Sequence, residues 1–318
     1  MNQDANAILT LCSHLCVGEG VQPLEPREYS DLAQRLTQVG MSPGDLFQLS
    51  IEDCGRLLQL EEAQLQRIFR LLDRSASLSF ALGQYRNMGI ETVTRADPGY
   101  PGMLKQKLGN SCPPIFYCAG DLQLLNRQYI GFVGARTVEQ QDVDFTVQAV
   151  GKISARGLGV VSGGAKGIDS VAGTEALLRG GYCLEYLSDS MMKKLQKTDT
   201  VRNVQDGRLL LLSVAKPEGS FHVGMAMMRN RYIYAQSQAT VVVRSDLNKG
   251  GTWAGAEENL KNHWCPCLCW SHPYPGNQAL IQKGAIPVDE SWDGSIPEQP
   301  TAPAQGECFE QISLFDGL

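Results

Sequence analysis

Apolar residues recur at three- and four-residue spacing through AILTLCSHLC, EYSDLAQRLTQVG, SPGDLFQLS and IEDCGRLLQLEEAQLQRIFRLLDRS. That spacing gathers the apolar side chains on one face of a helix, so residues 1–85 are predicted to form a small helical domain. Ser42 before Pro43 and Asp45 reads as a helix start, and Gly40 reads as a stop. From residue 86 the pattern changes. Short apolar runs (IFYCAG, YIGFVGAR, LGVVSGGAKGID, GYCLEYL, RLLLLSV, ATVVVRS) alternate with helical periods such as DVDFTVQAVGKISARG and SVAGTEALLRGG. This alternation predicts an α/β domain over residues 86–290, a parallel sheet with helices on both faces. No fixed-period repeat is present. Residues 291–318 are rich in Pro, Gln, Gly and Ser until the last eight, which predicts a flexible tail.

Composition narrows the class. The chain has 318 residues, 43% hydrophobic and 19% charged, as in an ordinary globular protein. No apolar run approaches the ~20 residues that span a bilayer, so no membrane segment is expected. The N-terminal MNQDANAILTLC lacks the basic start and long apolar core of a secretory signal, and a cytoplasmic location is the default expectation. The net charge of −6 argues against a broad polycationic surface and leaves room for a local basic groove. Ten cysteines are present, and in a cytosolic chain they are expected to be reduced. Cys265, Cys267 and Cys269 cluster in HWCPCLCWSH between His263 and His272. Their period-2 spacing predicts one buried strand face in preference to a metal site. No metal or cofactor is expected.

Four loops carry the chemistry. In GFVGART, Gly134 permits a tight turn after a strand, and Arg136 follows at the strand's C-terminal edge, where open parallel sheets bind ligands. In SGGAKGID, Ser162 precedes Gly163, Gly164 and Gly167, which favour a nest of backbone amides; Lys166 supplies a point charge, and Asp169 is placed to cap the next helix or to meet a sugar hydroxyl. The Lys-Gly order is wrong for a Walker A loop, and the stretch is not G-x-G-x-x-G, so ATP hydrolysis and ordinary dinucleotide binding lose ground. In MRNRYI, Arg229 and Arg231 bracket Asn230, a set suited to phosphate or base contact. In NKGGTWAGAEENL, Lys249, Gly251 and Thr252 open another helix and suit a phosphate. Four such loops on one sheet edge imply an extended polyanion. Tyr232 and Trp253 stand near them as candidate stacking surfaces for bases.

The ordered motifs DPGYPGML, PPIFYCAGD, VGAR, VVSGGAKGIDSVAG, MRNRYI, KGGTWAGA and PGNQALIQKGA, over residues 90–290, resemble the DNA-processing family called DprA or Smf. The resemblance implies an extended Rossmann-like fold and a non-enzymatic protein that binds and protects single-stranded DNA and helps load the RecA recombinase, in natural transformation or a related pathway. It also implies a homodimer, and a DNA groove lined by Arg136, the 162–169 loop, Arg229, Asn230, Arg231 and the 249–252 loop. The N-terminal segment is similar to SAM or helix-hairpin-helix domains. Lys166 stands where the family usually has arginine, Gly173 where it has histidine, and LSVAKP where it has Ser-Glu-Pro; the last 28 residues are too few and too polar to be expected to form the winged helix of many members. GGTWAGAEE is also similar to a nucleotide phosphoribohydrolase motif, with Glu257 and Glu258 near its acid, which keeps open a nucleotide-binding sensor or enzyme. In the tail, QISLF resembles peptides that dock on the replication sliding clamp, with Leu314 and Phe315 as anchors and Gln311 as a hydrogen-bonding latch.

Overall fold

The computed structural model describes residues 2–297. Five helices come first: α1 (Gln3–Cys12), α2 (Pro26–Gln38), α3 (Ile51–Leu58), α4 (Glu62–Leu72) and α5 (Ser75–Asn87). Local chemistry sets their ends. The Asn2 side chain caps α1, Ser50 caps α3, and Pro26 opens α2 behind a Glu25–Glu28 capping box. The start read at Ser42 is a 3-10 helix, Pro43–Gln48, with its own Ser42–Asp45 box. Helix α1 is the hub, with Ile8, Leu9 and Leu11 all buried.

The remaining chain runs β1 (Glu91–Thr94), α6 (Gly102–Leu108), β2 (Ile115–Ala119), β3 (Tyr129–Val133), α7 (Gln140–Ala155), β4 (Gly159–Ser162), α8 (Ile168–Leu178) and β5 (Cys183–Tyr186). It continues through α9 (Met191–Lys194), α10 (Thr198–Gln205), β6 (Leu209–Ser213), α11 (Val223–Gln236), β7 (Ala239–Val242), α12 (Gly250–Asn262), β8 (Cys267–Trp270), α13 (Pro275–Gln282) and β9 (Ile286–Val288). One nine-stranded sheet results, in the order β1-β2-β6-β5-β4-β3-β7-β8-β9. Strand β2 is antiparallel to both of its neighbours; all other pairs are parallel. Strands β2 to β8 are buried throughout, which explains their unbroken apolar runs.

Side chains alternate between two cores. Ile130, Phe132 and Val241 pack on one face with α7, α8 and the N-terminal helices; Tyr129, Val133 and Val242 pack on the other with α6, α11 and α12. The helical region and the sheet therefore share one continuous core. A hydrogen bond between the Ser13 and Tyr117 hydroxyls, 2.8 Å long, also crosses between them.

Cys267 and Cys269 point into the second core while Leu268 and Trp270 point into the first, as period-2 spacing requires. Cys265 is buried beside them, and burial raises its thiol to about 11 and that of Cys269 to about 12. Among the described residues no group of three His, Cys, Asp or Glu is placed to hold a metal. Nor is any described helix long and apolar enough to cross a membrane.

Candidate nucleic-acid interface

Strand order reverses at β3. Strands β4, β5 and β6 lie on one side of it, and β7, β8 and β9 on the other. The helices that follow β3 and β7 leave toward opposite faces, so a crevice opens beyond the strands' C-terminal ends. A cleft of about 740 Å³ occupies it, lined by the loops after β3, β4 and β7 and by α11.

Glycines make the close approaches here. At Gly134 a Cβ would come within 2.4 Å of the Ile168 side chain. Gly167 has φ +83, and a Cβ there would meet the Ala135 carbonyl oxygen at 2.1 Å, so two constraints demand glycine. Gly163 leaves room for the Arg229 guanidinium, which fills the space a Cβ would take. The Gly164 N–H donates to the Ser162 hydroxyl at 3.3 Å.

Asp169 and Arg229 differ from their expected roles. The Asp169 carboxylate, in the first turn of α8, accepts the Gly163 N–H at 3.0 Å and the Arg229 Nη1–H at 3.3 Å. Both residues are buried. They form the floor of the cleft, with both bonds taken by Oδ2 of the carboxylate. The Arg229 Nε is buried without a hydrogen-bond partner.

Arg231 is not in the cleft. Successive helical residues turn by about 100°, so Arg231 leaves on another side of α11 and pairs with Glu258 at 2.8 Å. Asn230 does line the cleft, and its amide donates to the Gly251 carbonyl at 3.0 Å. The Thr252 hydroxyl donates to the Gly134 carbonyl at 3.1 Å, tying the start of α12 to the loop after β3.

Three exposed cations remain. Arg136, Lys166 and Lys249 line the cleft. Among the described residues none has an ion-pair partner. The Arg136 guanidinium lies 4.9 Å from the Phe221 ring centroid. Helices α8 and α12 both begin at the cleft with their positive dipole ends, the Ile168 N–H that opens α8 donating to the Ala135 carbonyl at 3.3 Å. Arg244 also lines it, but Glu139 at 2.8 Å and Asp142 at 3.0 Å hold its charge.

The stacking residues read from the sequence are corrected. Tyr232 and Trp253 are 2% and 4% exposed, and Tyr232 packs edge-on against Phe116 at 5.6 Å. Tyr232 is spent on the core, and Trp253 borders the cleft but is almost wholly covered. The apolar groups that reach solvent at the rim are Phe221, Val223 and Met227, of which Phe221 is 44% exposed. The sequence signal for Phe221 is weak, because GSFHVG has no periodicity. Glu257 and Glu258 are also outside the cleft: Glu257 pairs with Lys283 at 3.0 Å and Glu258 with Arg231. Gln311, Leu314 and Phe315 lie outside the described residues.

Comparison with known proteins agrees with this architecture. The family described as DNA recombination-mediator protein A matches residues 91–295, nearly two thirds of the chain. The DNA processing protein DprA of Bacillus subtilis (strain 168) is 27% identical over 230 residues, covering 69% of this chain and 75% of the relative. The X-ray structure of DprA from Streptococcus pneumoniae superposes with a TM-score of 0.65 at 20% identity, covering 84% of this chain and 95% of that one. DprA from Helicobacter pylori, whose structure was described for its single-stranded DNA binding mode, gives 0.51 at 23% identity, covering 63% and 90%. With its Rossmann-like sheet, its crevice at β3 and β7 and a family match across both, this chain belongs to the DNA recombination-mediator protein A family.

Proposed function

We propose that the chain binds single-stranded DNA in the cleft beyond β3 and β7 and mediates recombination by presenting the strand to a RecA-type recombinase. The observation that carries this reading is the set of three exposed, unpaired cations, Arg136, Lys166 and Lys249, beside the first turns of α8 and α12. Each is free to meet a backbone phosphate, and each helix start adds amides for another. The rim of Phe221, Val223 and Met227 suits unpaired bases, which a duplex would hide. The description of the family as a recombination mediator, and the single-strand binding named for the Helicobacter pylori relative, support the same reading. A homodimer, and clamp docking through Gln311, Leu314 and Phe315, belong to this proposal on the family and peptide resemblances.

The reading as a nucleotide-cleaving enzyme is weaker. Its candidate acids, Glu257 and Glu258, are held in ion pairs and do not line the cleft. Fluorescence anisotropy with a labelled thymidine oligomer and a duplex of equal length tests the proposal. The single strand is expected to bind at least tenfold tighter, and Phe221→Ala to weaken it about fivefold or more with no loss of folded signal, in line with ~1–3 kcal/mol per stacked base. Equal affinity for the duplex, or free base released from a nucleoside monophosphate panel, would count against it.

A further inference from the structure

A buried ion pair lies directly beneath the glycine loop. Glu185, on β5, is 7% exposed, and its carboxylate pairs with the Lys194 ammonium at the end of α9. The same ammonium donates to the Gly164 carbonyl at 3.3 Å. Gly164 rests on the pair: it has φ +60, and a Cβ there would come 2.6 Å from Glu185 Oε2 and 2.7 Å from Lys194 Nζ.

Helix α9 is itself held from the far side. The Ser190 hydroxyl donates to the Pro217 carbonyl at 3.1 Å, and the Met192 N–H donates to the same oxygen at 3.0 Å. On α8, Gly173 faces the carboxylate without a side chain; a Cβ there would stand 3.2 Å from Cys183 Sγ and 3.7 Å from Glu185 Oε1. Nothing from α8 therefore neutralises Glu185, and the task falls to Lys194.

A buried carboxylate needs a partner, and as a source of stability alone such a pair is poor value, since apolar replacements are often as stable. The second bond to the Gly164 carbonyl gives the pair a use. We propose that Lys194, held by Glu185, is a positioning residue for the 163–167 loop, fixing the Gly164 carbonyl and so aiming the loop's amides and Lys166 into the cleft. The inference rests on the reading of the cleft as the strand-binding site, and it identifies a contribution from two residues that do not line that site.

The test compares wild type, Glu185→Gln, Lys194→Met, the double variant and Lys194→Arg, using the full chain. Three readouts are taken: thermal midpoint, hydrogen exchange of the peptide covering 163–167 without DNA, and thymidine-oligomer affinity at fixed salt. Lys194→Met leaves a bare buried carboxylate and should lower the midpoint most. The double variant removes both charges and should recover most of the midpoint, yet exchange faster in the loop and bind the oligomer at least tenfold more weakly. In that background Lys166→Ala should cost little further affinity, because Lys166 is already misaimed. Lys194→Arg, which keeps charge and donor, should bind within about threefold of wild type. If the double variant exchanges and binds as wild type does, and Lys166→Ala keeps its full effect there, the pair is only structural and the inference falls. If wild type binds no strand, the reading of the cleft fails, while unchanged loop exchange in the double variant would still overturn the positioning role by itself. Should the double variant misfold, Glu185→Gln alone carries the test, because the Lys194 side chain it leaves unpaired is 17% exposed and can reach water.

Discussion

Arg229 and Lys166 are both basic residues of the cleft, but their physics is opposite. Arg229 is buried and its charge is balanced by Asp169, whereas Lys166 is exposed and unbalanced. Removing one member of a buried pair leaves an isolated charge and typically costs about 3–5 kcal/mol, while an exposed substitution stays within about 0.5 kcal/mol. Arg229→Ala and Asp169→Ala are therefore expected to lose about 3 kcal/mol or more in urea titrations. Lys166→Ala should leave stability unchanged and weaken only the binding. Equal stability for Arg229→Ala and Lys166→Ala would remove Arg229 from the cleft floor. The sequence names the residue types but cannot separate these roles. MRNRYI reads as two arginines flanking an amide, and only the helical turn of about 100° per residue shows that Arg231 leaves for Glu258. Tyr232 and Trp253 were legible as aromatics beside the loops, but whether an aromatic faces water depends on strand and helix packing that no local pattern encodes.

At the scale of elements, the central strands were legible because burial on both faces writes an unbroken apolar run, as in RLLLLSV for β6. The long amphipathic α7 was legible as well. The short polar helices α9 and α10 were not: MMKK and TDTVRNVQ carry too few apolar positions to set a period. The antiparallel setting of β2 was also hidden, because a fully buried strand has the same apolar run in either direction. The glycines of the β3 and β4 loops were readable as permissive positions, and the structure assigns each one a neighbour. Gly157, with φ +73 and nothing within 4 Å, needs only its backbone angle, whereas Gly167 needs that angle and a close approach to Ala135. Gly157→Ala should cost about 1–2 kcal/mol from the left-handed conformation alone. Gly167→Ala should cost clearly more and lower strand affinity too, because the loop must move off the Ala135 carbonyl. Matching melting temperatures for the two variants would contradict this.

Over the whole molecule, the helical region is joined to the sheet by a shared core that runs from Ile8, Leu9 and Leu11 to Ile115 and Tyr117. All four tryptophans lie in the sheet portion, at positions 253, 264, 270 and 292, whereas far-ultraviolet circular dichroism also reports the N-terminal helices. The two signals are expected to unfold together in urea, as one cooperative unit does. Separate transitions would show that the helices melt on their own. A net charge of −6 disfavours broad attraction to a polyanion, so, if the proposed groove is correct, a few cleft cations should account for nearly all of the binding. The most direct measurement is a salt series of thymidine-oligomer affinity for wild type and for the triple variant Arg136→Ala, Lys166→Ala, Lys249→Ala. The proposed groove predicts at least a hundredfold loss at low salt, and a log–log salt slope shallower by about three, one for each phosphate contact removed. An affinity and a slope unchanged in the triple variant would contradict it.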